Sequence, residues 1–132
     1  MALVAGSGYA LDHCTHPSLR PERDSKPQLD HPDPRPDVDG SNVLSEAQLA
    51  GFDHVIELYN GIREIPHIAD GILCTCGCAE LTGFRSLLTC FEGNGMGMSC
   101  EICQTEGRMV VRYHNEGRTL EQIRAAITAR FG

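Results

Sequence analysis

The sequence predicts a small all-α domain of about four helices around a cysteine-rich loop. Three observations lead there. Apolar residues recur at helical spacing in several stretches, whereas no run alternates as a half-buried strand would. Helix-start signatures of the Ser/Thr-x-x-Gln type occur at Ser45 and Thr119. Six of the seven cysteines fall between Cys74 and Cys103. With 132 residues and 41% hydrophobic content, the chain has room for one modest domain. Its expected organisation is a disordered Pro/Asp-rich segment over residues 1–44, followed by a cysteine-rich helical metal-binding domain over residues 45–132.

The first ten residues are mildly apolar and small. They fit either the remnant of an export signal, although a basic leader is missing, or an ordinary disordered start. From Asp12 to Gly40 the chain reads as a linker, holding six of the seven prolines and few apolar side chains. Cys14 and His16 lie within it and read mainly as exposed tether residues.

A helix is expected from Ser45, where Ser45 and Gln48 fit a capping box; Phe52, Val55, Ile56, Tyr59 and Ile62 supply its apolar face. His54 falls near that face and reads as structural. Pro66 suits the first turn of a short helical stretch. Phe84, Leu87, Leu88 and Phe91 follow the i, i+3, i+4, i+7 pattern of another, with Cys90 at its end. Ser99 can cap a helix over Cys100–Asn115, closed by Gly117. Thr119 then starts the last, with Leu120, Ile123, Ile127 and Phe131 turned inward.

The cysteines carry the chemistry. Cys74, Cys76 and Cys78 alternate with little prospect of bonding to one another, but with Gly77 they can turn several sulfurs toward one centre. Cys100 and Cys103 open a helix, whose positive end stabilises thiolate, the form that binds metals. The expected ligands are therefore Cys74, Cys76, Cys78, Cys90, Cys100 and Cys103. Met96, Met98 and His67 are candidate additional ligands, although the thioethers also suit a water-excluding cover.

Five or six close thiolates favour a soft ion, Cu(I) first, for storage, transfer or sensing with a metal-donor or acceptor protein. A structural Zn²⁺ site, an iron–sulfur electron carrier and a thiol–disulfide redox protein are the alternatives. A purely structural disulfide framework is the bland reading. A net charge of −7 argues against a nucleic-acid surface. No apolar run reaches the roughly 20 residues of a membrane span. No hydrolase constellation emerges, so enzymatic activity is not expected.

Residues 62–132 resemble the bacterial family named for its Pro-Cys-Tyr-Cys-Gly-Cys motif. The resemblance rests on Ile65-Pro66, the Cys74–Cys78 series, Ser86-Leu87, Cys90-Phe91, Cys100-Glu-Ile-Cys103 and the ending from Gly117 to Arg124. Leu73 and Thr75 replace the Pro and Tyr of the name motif. The resemblance implies an exported or membrane-tethered, extracytoplasmic protein of unassigned function. Relatives carry His near Phe84 and ahead of the Cys-x-x-Cys, where this chain has Phe84, Met96 and Met98, which moves the expected metal toward softer ions.

Overall fold

The computed structural model describes residues 29–76 and 85–132. Among them are four helices and no named strand: α1 (Ile56–Glu64), α2 (Pro66–Ala69), α3 (Glu101–Asn115) and α4 (Leu120–Phe131). A 3₁₀ turn over Asp53–Val55 leads into α1, and a second covers Leu88–Phe91. α3 is the axis, packing against α1, α2 and α4.

Val55, Leu58, Tyr59 and Ile62 meet Leu87, Leu88 and Phe91 in the core, with Val110, Ile123 and Ile127 closing it from α3 and α4. Each fully buried aliphatic side chain contributes about 1.5–3 kcal/mol. Phe91 stacks edge-on against Tyr59 at 4.8 Å between ring centres.

The caps explain where the helices stand. Thr119 and Gln122 exchange side-chain and backbone hydrogen bonds in a complete capping box. Gly117, at φ +89°, ends α3 in a conformation that other residues resist. Pro66 occupies the first turn of α2, where no amide is needed.

Two expectations are corrected. The Ser45–Gln48 box does form, with bonds of 2.9 and 3.3 Å, but no helix grows from it. The chain turns through Gly51, at φ +90°, and helix begins again only at Asp53. Phe52 is consequently 36% exposed rather than on the buried face.

Residues 29–44, expected to belong to the disordered segment, instead form a strap on the domain. Leu29 and Val38 pack against the core, and Val43 and Leu44 are buried in it. Leu44 N–H donates to the Phe91 carbonyl at 3.1 Å. The remainder of the expected disordered segment, including Cys14 and His16, lies outside the described residues.

Polar contacts hold the strap where hydrophobic residues are scarce. The fully buried Asp70 carboxylate accepts from Arg35 backbone N–H at 2.8 Å, from Arg35 Nε at 3.0 Å and from Ser86 Oγ at 2.7 Å. Arg85 pairs with it at 2.6 Å. Burial alone would raise the Asp70 pKa, but the Arg35 and Ser86 hydrogen bonds and the Arg85 charge outweigh it and hold the group below its ordinary value.

Candidate metal centre

Three segments converge on one point. The first, Gly71–Cys76, leaves α2 and is fixed along its length. Arg124 of α4 donates to the Gly71 carbonyl at 2.9 Å, and Leu87 N–H donates to the Ile72 carbonyl at 2.7 Å. Leu73 N–H donates to Nδ1 of the strap residue His31 at 3.1 Å, while the other ring nitrogen meets Thr128 Oγ1 at 3.0 Å. Burial, followed by the charge of Arg124, keeps His31 below its ordinary pKa, consistent with a neutral ring accepting at Nδ1.

The second segment is the 3₁₀ turn that buries Cys90 beside Phe91. Gly97 N–H donates to the Cys90 carbonyl at 2.8 Å and folds the glycine-rich loop over the turn. A Cβ on Gly97 would stand 2.6 Å from the Tyr59 hydroxyl, 2.8 Å from Phe91 and 2.9 Å from the Cys90 oxygen, so glycine is required there. Gln104 fastens the same loop to α3, donating to the Gly97 and Met98 carbonyls at 2.9 and 3.1 Å. The third segment is the first turn of α3, which carries Cys103.

The sulfurs of Cys74, Cys76, Cys90 and Cys103 all lie within 4.8 Å of one another. Cys74 is 3.3 Å from Cys76 and 3.2 Å from Cys103, and Cys76 is 3.4 Å from Cys103. A tetrahedral tetrathiolate with metal–sulfur bonds of about 2.3 Å has edges of about 3.8 Å. Lengthening those three edges by about half an ångström would make room for an ion. The donor set is entirely sulfur, and three of its four members are buried, with Cys76 half-buried. Four clustered cysteines could thus hold a metal ion.

The electrostatics favour one thiolate before any ion arrives. Cys74 is pulled well below the ordinary thiol pKa, first by a hydrogen bond from Cys103 and then by one from Cys90. Cys103 is pushed up by those same bonds to Cys74 and Cys90 and by burial. For Cys90 the bond with Cys103 works downward, but the Cys74 thiolate and burial prevail and raise it. A cation at the centre would favour the thiolate form of all four.

The other candidate ligands are placed differently. Cys100 is the N-cap of α3, its Sγ accepting weakly from Cys103 N–H at 3.5 Å, and it stands outside the four-sulfur group. The cap therefore belongs to Cys100 rather than Ser99. His67 is exposed in the last turn of α2 and is also outside the group. Met98 packs against the core, and Met96 is 42% exposed. His54 is exposed too, its carbonyl accepting from Arg108 at 3.1 Å. Cys78, Gly77 and Phe84 lie outside the described residues.

Sequence reasoning missed Glu106. It is fully buried one turn beyond Cys103, and its Oε1 accepts from Thr75 N–H at 3.0 Å and Thr75 Oγ1 at 2.8 Å. Its Oε2 is buried without a hydrogen-bond partner among the described residues, as is the Tyr59 hydroxyl. The available signal was its i+3 spacing from Cys103, which places both on one helix face.

Burial first, and to a smaller degree the Cys74 charge, raise the Glu106 pKa to about 8 against the hydrogen bonds from Thr75. A raised carboxyl stabilises the fold fully below its unfolded pKa, and that contribution is lost as pH climbs through the folded one. In reduced, metal-free protein, the stability of Glu106→Gln relative to wild type is expected to improve by roughly 3 kcal/mol between pH 5 and pH 8. Urea unfolding at the two pH values measures it. A difference independent of pH would mean that the carboxyl is ionised in the fold throughout.

No family model, curated protein or solved structure matches the chain.

Proposed function

We propose that the protein binds one thiophilic metal ion through the thiolates of Cys74, Cys76, Cys90 and Cys103. The observation that carries the reading is the convergence of four sulfurs from three separate segments within 4.8 Å. Four sulfur donors around one point are the usual setting of structural Zn²⁺, and such an ion would brace the loop, the 3₁₀ turn and α3 against one another.

Cu(I), held for storage, transfer or sensing and exchanged with a donor or acceptor protein, is the second reading. The half-buried Cys76 favours it, since that position leaves one ligand reachable by an incoming thiol. An iron centre and thiol–disulfide chemistry are further outcomes of the same test. The Cys74–Cys78 series and the Cys100–Cys103 pair also support membership in the Pro-Cys-Tyr-Cys-Gly-Cys family, and with it an extracytoplasmic location, as part of this proposal.

The test is metal analysis of protein purified without oxygen, with thiol counting and a visible spectrum. About one zinc or one copper per chain is expected in colourless wild-type protein, falling toward zero in Cys76→Ser and Cys103→Ser. Iron with visible absorption would instead make the protein an electron carrier. Unchanged stoichiometry in both variants would remove the proposed site. Metal-free protein with no free thiols, restored by neither reduction nor reconstitution, would leave a disulfide or redox role.

A further inference from the structure

We infer that Glu106 is a positioning residue for the metal centre, latching the Cys74-Thr75-Cys76 limb to α3 through Thr75. The inference rests on the metal reading above and deepens it.

Thr75 is the residue between two of the proposed ligands, and both of its donors point at one carboxylate oxygen, at 3.0 and 2.8 Å. Glu106 sits one turn from Cys103, so the latch joins the limb directly to the helix that supplies another ligand. Cys74 and Cys76 are thereby kept 3.2 and 3.4 Å from the Cys103 sulfur.

Stability alone gives little reason for a carboxyl at this position. The side chain is fully buried, and its second oxygen has no partner among the described residues. A buried carboxyl oxygen left without a partner costs free energy that an apolar side chain of similar size would not. A group that is costly to the fold and bonded to the residue between two ligands fits the outer-shell support that metal ligands generally require.

The test compares wild type with Glu106→Gln, Glu106→Leu and Thr75→Val. Each is loaded with Co²⁺ to record the tetrahedral ligand-field bands and with Zn²⁺ to time release into a chromogenic chelator. Gln retains the oxygen that Thr75 needs, so its release rate is expected within about twofold of wild type. Leu should release the ion at least about tenfold faster, with distorted Co²⁺ bands, and Thr75→Val about threefold faster.

Metal-free Glu106→Leu should keep a cooperative urea transition, which separates lost positioning from lost folding. Wild-type release from Glu106→Leu, or equal impairment of Gln and Leu, would overturn the latch while leaving the metal site standing. Should Glu106→Leu not fold, Thr75→Val decides, and a wild-type rate there overturns it. A wild-type chain that takes up none of Co²⁺, Zn²⁺ and Cu(I) overturns the metal reading, and the latch with it.

Discussion

Withdrawing the ion from loaded protein with a chelator is expected to lower its melting temperature by roughly 15 °C. The ligands explain the size. Cys74 and Cys76 follow α2, Cys90 lies in a 3₁₀ turn and Cys103 opens α3, so one ion ties together three separate segments of the chain. An ion present at about a thousandfold over its dissociation constant adds about 4 kcal/mol. A domain of this size gains about 4 °C for each of those. The comparison is a thermal melt with and without chelator under reducing conditions. The Cys103→Ser variant should melt at the lower temperature in both. A melting temperature indifferent to chelator would mean that the ion binds without bracing the fold.

Asp70→Ala carries the second large effect, about 3 kcal/mol of lost stability. Removing one partner of a buried ion pair ordinarily costs 3–5 kcal/mol, because the other charge is left uncompensated. Here Arg35 and Arg85 are 44% and 34% exposed and can turn toward water, which sets the expectation at the low end. Ser86 Oγ has no such escape, since Ser86 is fully buried. Urea unfolding gives the loss. Hydrogen exchange gives its location: with the carboxylate gone, the Val38 and Leu44 amides of the strap should exchange faster while those of α3 and α4 remain protected. Loss of stability without faster exchange in the strap would show that the strap is held by its apolar contacts alone.

How far the sequence revealed this arrangement depends on which forces hold each part. α3 and α4 were legible because capping and apolar periodicity agree: Thr119 and Gln122 box the start of α4, and Ile123 and Ile127 are buried as their spacing requires. The Ser45 box misled because a capping box satisfies amides locally whether or not a helix follows, and Gly51 diverts the chain within one turn. The strap was hidden because its few apolar anchors are supplemented by one buried carboxylate and one histidine ring, contacts between residues far apart that hydropathy does not register. The cysteines marked a candidate metal site by type and spacing. Spacing alone could not say that Cys100 would cap the helix while Cys103, three residues on, turned inward.

The strap also constrains how the molecule is made. His31 meets Thr128, 97 positions later, and Arg124 reaches back to the Pro32 carbonyl. On a ribosome adding about 5–20 residues each second, the strap waits roughly 5–20 s for these partners. For roughly 2–10 s of it, between the synthesis of Cys76 and that of Arg124, the Cys74–Cys76 limb lacks its Arg124 support. Its thiols are then open to whatever oxidant or metal the nascent chain meets, so the order of synthesis, rather than the finished structure, governs which chemistry they encounter first.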